Sequence, residues 1–370
     1  MLRCSFLPPR FSAARYSKMS TAPGPICRTF VPVEQSEVTS ISKTDGFVYC
    51  NLIFSDCPLL NIPGFKFRLV SYNILAQAYV KSIIFPHSPG PSLKWKARSQ
   101  AILTVLKSLE ADFFCLQYID LIVLVILISA ELVIEEKIDY NDLVATVDDE
   151  KTSSSDDGNK LLVGGNKEET KSGSEKESSE DRGDPNDPRV RLKRDCVGTM
   201  AAFRLKNPTF HYVIIANTHI YWDPEWADVK IAQVKYLLSR LAEFKMLVAK
   251  KFDCSPSVIV AGDFNSTPGD QVYQYLVSGT SGMGPESMDD LPIPLASVYA
   301  FAGGEPEFTN CTPGFTGTLD YILFSPDQGV KPVNYLELPV AESPDVSGGL
   351  PNYFHPSDHL PIGAEFEVEA

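Results

Sequence analysis

Val258-Ile-Val-Ala261 running into Gly262-Asp-Phe-Asn265 is the stretch that decides how this chain is read. Four apolar residues, two of them valine and one isoleucine, read as a strand buried on both faces. The strand stops at a turn that carries a glycine, a carboxylate and an amide. The arrangement recurs along the chain. Phe67-Arg-Leu-Val70 runs into Ser71-Tyr72-Asn73, and Val213-Ile-Ile-Ala216 runs into Asn217-Thr218-His219. Leu319-Asp320-Tyr321-Ile322-Leu323 carries its acid at the start of a strand, and Pro356-Ser357-Asp358-His359 precedes the alternating segment 360–368. Strand ends that share a sheet edge bring their polar residues together, which here collects two histidines, asparagines and at least three aspartates. A structural core does not need that mixture. A hard divalent cation of the magnesium type does, because it takes carboxylate and amide oxygens, and the histidines suit proton transfer and phosphate charge.

Two helical faces lie between these strands. Trp95, Ile102, Val105, Leu106 and Leu109 form one, and Val234, Leu237, Leu238, Leu241 and Phe244 form the other. Mixed strands and helices of this kind predict an α/β (α+β) class. The 370 residues are 44% hydrophobic, which excludes a wholly disordered chain. A formal charge of −14 argues against a nonspecific polyanion binder, but the charge is unevenly spread. Arg3, Arg10, Arg15, Lys18 and Arg28 stand in residues 1–33 without an acid. That stretch predicts a disordered tail with the composition of a mitochondrial or plastid import address, although Pro8-Pro9 interrupts an amphipathic helix; an unstructured tail without an address is the other reading. Residues 34–64 form an N-terminal extension. Residues 148–188 are acidic and nearly free of apolar side chains, so they predict a disordered insert. Because the polar strand ends flank this insert on both sides, it lies inside one domain, 65–370.

The eight cysteines are scattered and form no CxxC pair, which predicts free thiols in a reducing compartment. The longest apolar run, Leu121–Ile128, is far short of the roughly twenty residues of a membrane-spanning helix and predicts a buried strand. Trp226 is expected to pack in the core.

Longer motifs share these positions: Ser71-Tyr-Asn-Ile-Leu-Ala-Gln77, Leu93-Lys-Trp-Lys-Ala-Arg98, Ala111-Asp-Phe-Phe-Cys-Leu-Gln117, Asn217-Thr-His-Ile-Tyr-Trp-Asp-Pro224, Gly262-Asp-Phe-Asn-Ser266, Phe308-Thr-Asn310, Leu319-Asp-Tyr-Ile322 and Pro356-Ser-Asp-His-Leu-Pro361. With them the chain resembles the endonuclease/exonuclease/phosphatase superfamily, and within it the carbon catabolite repressor four-type deadenylases. The resemblance implies a two-sheet β-sandwich flanked by helices, with a site for one or two Mg2+ ions at one edge. It implies 3′-to-5′ hydrolysis of single-stranded RNA, poly(A) above all, with release of 5′-AMP. Asp263 and Asn265 would then hold or orient metal and attacking water, and Asn73 and Asp358 would complete the shell. His359, oriented by Asp320, and His219 would stabilise charge on the phosphorus oxygens. Pro224 and Phe315 match positions that sandwich an adenine. The resemblance also implies a cytoplasmic or nuclear location. Deadenylase-complex partners are compatible with it, but the leucine-rich repeats that would dock them are absent from residues 34–65.

One departure bears on activity. The family places a metal-binding glutamate after Cys-Leu-Gln, and this chain has Tyr118 there. A phenol is neutral at pH 7 and does not replace a carboxylate. The short join from Tyr118 to the segment beginning at Ala130 implies that a piece after Gln117 is missing relative to the family. The leading expectation is therefore a deadenylase by lineage whose activity is weakened. The alternatives are an inactive isoform that binds RNA or a protein partner, and a phosphodiesterase or phosphatase acting on small adenine nucleotides.

Overall fold

The computed structural model describes residues 23–33, 64–118, 130–144, 184, 186–206, 211–277, 292–326 and 328–368. The stretch read first is strand β7 (Ser257–Asp263), buried along its whole length, and its parallel neighbour is β6 (Tyr212–His219). Period-2 alternation sends their apolar residues to two different cores. Val213, Ile215, Ile259 and Ala261 point to one, while Ile214, Ala216, Val258 and Val260 point to the other. That is why these runs are apolar without interruption.

The larger sheet has the order β4 (Ala130–Asp139), β5 (Val197–Leu205), β6, β7, β11 (Asp320–Phe324) and β8 (Ala296–Ser297). The smaller has the order β1 (Phe30–Pro32), β12 (Val330–Leu336), β13 (Ile362–Val368), β2 (Lys66–Asn73) and β3 (Phe113–Gln117). Between the sheets, Phe67, Leu69, Phe113 and Phe366 meet Phe203, Ile215, Ile259 and Ile322 in one core. Helix α1 (Trp95–Leu109) covers the outer face of the smaller sheet through Ile102, Val105 and Leu109. Helices α2 (Ala227–Phe252) and α3 (Gln271–Val277) cover the larger. All five residues expected on the inner face of α2 are buried, each worth about 1.5–3 kcal/mol. The result is a helix–sheet–sheet–helix sandwich of α/β class, as the motifs implied.

Several expectations are corrected. Trp95, the first residue of α1, is 51% exposed, and the first turn buries Arg98 instead. The end of the expected disordered tail is ordered. Phe30–Pro32 pairs with β12, Arg28 bonds Asp345 at 2.7 Å, and the Arg68 guanidinium lies 4.8 Å from the Phe30 ring centroid. An edge strand gains ladder hydrogen bonds and an ion pair that composition alone does not reveal. Trp226 is not apolar core. It is half-buried between the guanidiniums of Arg191 and Arg194, at 4.1 and 4.2 Å, a cation–π sandwich that basic residues distant in sequence supply. The cysteines among the described residues are free, and burial pushes the Cys115 thiol up to about 12. The apolar run 121–128, most of the acidic insert and residues 1–22 and 34–63 lie outside the described residues. No helix among the described residues is long and apolar enough to cross a membrane.

Candidate active site

The polar strand ends gather at one edge of both sheets because of register. His219 faces Asp263 across β6–β7, and Asp263 faces Asp320 across β7–β11. On the smaller sheet Asn73 faces Gln117 across β2–β3. Three hydrogen bonds tie the sheets together at this edge: Asn73 Nδ2 donates to Asp263 Oδ2 at 2.8 Å, Gln117 Nε2 donates to Asn217 Oδ1 at 2.9 Å, and Asn217 Nδ2 donates to the Leu116 carbonyl at 3.1 Å. Gly262 is required here. Its φ of 148° suits glycine, and a Cβ would lie 2.0 Å from the Thr218 carbonyl oxygen. Asn265 takes a left-handed φ of 45°, which asparagine tolerates better than most residues. This conformation lets its own N–H return to Asp263 Oδ1 at 2.9 Å. The glycine and the asparagine thus aim a single carboxylate.

His359 is buried at the other side of Asp263. Its Nδ1 bonds Asp320 Oδ2 at 2.7 Å, and its Nε2 stands 3.6 Å from Asp263 Oδ2. Thr309 Oγ1 donates to the same Asp320 oxygen at 2.6 Å. Burial alone would lower the His359 pKa, but Asp320 and then Asp263 outweigh it and push it up to about 10. Without a metal ion, the two carboxylates therefore favour the protonated imidazole. His219 Nε2 approaches the same Asp263 oxygen at 3.4 Å.

Asp263, Asp320 and His359 bring one ligand atom each within 4.8 Å of the others, a group that could hold a metal ion. Asp320 Oδ1 is buried without a hydrogen-bond partner, and Gln117 Oε1 on the same edge is likewise unmatched. An unmatched buried carboxylate oxygen is the kind of acceptor a cation satisfies. The carboxylate and amide oxygens make the donor set fit a hard divalent ion. Asp358 is not one of these three; it is half-buried, and its charge acts on both His359 and Tyr118.

Of the residues expected at the site, Asn73, His219, Asp263, Asn265, Asp320 and His359 are joined by hydrogen bonds, close charge contacts or strand register. Pro224 lies exposed in the loop between β6 and α2, and Phe315 is 41% exposed in a hairpin formed by β9 (Asn310–Thr312) and β10 (Phe315–Gly317). That hairpin starts at the site, since Asn310 bridges His359. Tyr118 sits at the end of β3 and packs edge-on against His219, with ring centroids 5.0 Å apart.

Three supporting residues were missed. Arg98 is fully buried and donates to the Pro356, Ile74 and Leu75 carbonyls and to Gln77 Oε1, which joins the loop after Asn73 to the loop before His359. Lys230, on the buried face of α2, donates to the Asn265 carbonyl at 2.8 Å. Gln117 crosses between the sheets. Arg98 and Gln117 stood inside quoted motifs, and a lysine at a buried helical position was the available signal for the third.

A sandwich of this architecture with a carboxylate–imidazole cluster at one edge defines a class before it defines a protein. The endonuclease/exonuclease/phosphatase family matches residues 180–359, a range that holds His219, Asp263, Asn265, Asp320 and His359. The structure of ANGEL2, described as a 2′,3′-cyclic phosphatase, has the same fold. It aligns with a TM-score of 0.59 and 23% identity, covering 84% of this chain and 97% of that one. More narrowly, the chain is 50% identical to carbon catabolite repressor protein 4 homolog 4 of Arabidopsis thaliana, covering 99% of this chain and 97% of the relative. It is 27% identical to the Ccr4 subunit of Schizosaccharomyces pombe, described as a CCR4-Not complex 3′-5′-exoribonuclease, over 85% of this chain. The chain spans about half of that relative's length (51%). The chain belongs to the endonuclease/exonuclease/phosphatase family and, within it, to the carbon catabolite repressor protein 4 homologues. The alignment with the plant relative runs over 416 residues against the 370 present here, so that relative carries stretches this chain lacks.

Proposed function

We propose that this chain is a magnesium-dependent 3′-5′ exoribonuclease by lineage, directed at poly(A) and releasing 5′-AMP, with activity reduced by Tyr118. The observation that carries this reading is the Asp263–His359–Asp320 cluster at one sheet edge, in a chain half identical along its length to a carbon catabolite repressor protein 4 homologue. Asp263 and Asp320 Oδ1, with the Asn73 and Asn265 amides beside them, would hold the metal. When bound, Mg2+ supplies Lewis-acid charge to a phosphoryl oxygen.

The chain's own residues do the rest. Asp320 fixes the His359 ring through Nδ1, so Nε2 is presented toward Asp263 and the edge, where a scissile phosphate would lie. A cationic imidazole there stabilises charge that builds on the phosphorus oxygens. His219 places a second ring nitrogen on the opposite side of Asp263. Asn265 and Asp263 orient an attacking water, and Arg98 and Lys230 hold the loops that carry these groups. Pro224 and Phe315 take the terminal adenine between them. Residues 65–370 form the catalytic unit, and the acidic segment 148–188 falls within its sequence. RNA is the partner this site calls for.

A second reading, a chain that binds RNA without cleaving it, is favoured by one observation: a neutral phenol stands where the family implies a carboxylate. Incubation with 5′-labelled oligo(A) and Mg2+, beside a His359→Ala control, separates the two. A ladder of shortened products above the control supports the nuclease. Retained binding with no shortening beyond the control supports the second reading.

A further inference from the structure

Tyr118 is placed by strain rather than by the run of its strand. It has a φ of 68°, a left-handed backbone conformation that disfavours an aromatic residue, so the surrounding contacts hold it there. Its ring lies against two others. It meets His219 edge-on (5.0 Å, 87°) and Tyr79 at a tilt (5.7 Å, 56°). His219 is itself 3.4 Å from Asp263, so this aromatic pair borders the carboxylate site. Both residues are partly exposed, Tyr118 at 44% and Tyr79 at 55%. Burial first, then the charges of Asp263 and Asp358 and the neighbouring Tyr79, raise the Tyr118 phenol well above its usual range, so it stays neutral.

A neutral flat ring beside buried carboxylates adds no further repulsion toward a phosphate diester. Two adjoining exposed aromatic faces also offer what the cluster itself lacks, an apolar surface for the ligand's rings. Every nucleobase has such a face, and stacking on it is tolerant of sequence. We propose that Tyr118 and Tyr79 form a base-stacking wall on the His219 side of the site, which takes a nucleobase of a single-stranded nucleic acid whose phosphate lies at Asp263. The proposal rests on the reading of the ligand as single-stranded RNA. It turns the departure at position 118 into a change of role, from metal ligand to stacking surface.

The test needs no turnover. Oligo(A) carrying 2-aminopurine is titrated in EDTA into the full chain and into Tyr118→Phe, Tyr118→Ala and Tyr79→Ala, each shown to be folded by its melting curve. Stacking quenches the probe and anisotropy reports affinity. An oligomer of abasic sugar-phosphate units of the same length serves as the reference. Tyr118→Phe should keep both affinity and quenching. Each alanine variant should bind oligo(A) roughly 5- to 150-fold more weakly, with reduced quenching, and should bind the abasic oligomer as the wild type does. Alanine variants that bind and quench like the wild type would overturn the wall while leaving the RNA reading standing. Equal losses on the abasic oligomer would also overturn it, since the tyrosines would then act on the phosphate side. A wild-type chain that does not bind oligo(A) at all would overturn the RNA reading, and the wall with it.

Discussion

The two sides of Asp263 are built on opposite principles. On one side His359, Asp320 and Thr309 are buried and joined by short hydrogen bonds, each side chain fixing the next. On the other side His219 meets Asp263 at a longer 3.4 Å and is backed by two partly exposed tyrosines. The buried side is electrostatic and rigid, where low dielectric strengthens each bond and makes an unpaired charge costly. The open side is flat, neutral and accessible. The difference gives one carboxylate a fixed, charged neighbourhood on one side and an accessible aromatic one on the other.

The largest effects should come from breaking the buried side. Asp320→Asn leaves the His359 cation without its partner, which for a buried pair costs about 3–5 kcal/mol. Urea unfolding of metal-free protein measures it. The pH dependence gives the sign. His359 binds its proton more tightly when folded, so its stabilisation is complete below about pH 6.5. It is lost as pH rises toward about 10. The wild type should show that alkaline slope, and Asp320→Asn should flatten it. If the catalytic reading holds, His359→Ala should also lower the rate of oligo(A) shortening roughly 100- to 1,000-fold, as loss of a transition-state charge partner does.

Gly262→Ala strikes the seam where the two sides meet. A Cβ 2.0 Å from the Thr218 carbonyl oxygen forces β6 and β7 apart, at a cost of about 1–3 kcal/mol or more. A denaturant midpoint unchanged from the wild type would mean that the close approach of these strands is not real.

The open side should respond to charge. Tyr118→Glu loses the ring contacts and sets a carboxylate near Asp263, so it should lower metal-free stability by about 0.5–3 kcal/mol, yet add a carboxylate to the cation site. Each ten-fold gain in Mg2+ affinity then adds about 1.4 kcal/mol of metal-linked stability at saturation. Melting curves with and without Mg2+ read it, and equal metal shifts in both proteins would show that position 118 does not face the ion.

A control lies away from both sides. Burial alone would raise the Asp345 carboxyl, but bonds from His355 and Arg28 outweigh it and hold it below the usual range. A lowered carboxyl stabilises above its unfolded pKa, near 3.9, and loses that contribution as pH falls further. Arg28→Ala should therefore cost about 1 kcal/mol or less at neutral pH, the scale of a partly exposed pair. Its difference from the wild type should shrink in acid, without effect on Mg2+ binding.

Much of the site was legible in the chain. Asn73, His219, Asp263, Asn265, Asp320 and His359 each stand at the end of an apolar run or beside one. A strand that ends in a polar residue delivers it to the sheet edge whatever the rest of the fold does. The helix–sheet alternation and the inner face of α2 were legible for the same reason, since periodicity is local. Arg98, Lys230 and the Trp226 sandwich were not, because the groups that satisfy them come from distant segments: Pro356 for Arg98, Asn265 for Lys230, Arg191 and Arg194 for Trp226. The ordered end of the N-terminal segment escaped for that reason too, its partners being Asp345 and β12.

The sequence by itself determined which residues reach the active edge, that one family supplies their arrangement, and that Tyr118 stands where a carboxylate was implied. Only the tertiary structure decided what those residues do to one another. Strand register set His219 and Asp320 on either side of Asp263, the carboxylates around His359 favoured its protonated form against the effect of burial, and a left-handed turn at Tyr118 set its ring against His219 and Tyr79. Identity is carried by local pattern, whereas charge state and orientation arise from long-range contacts that exist only once the two sheets have closed on each other.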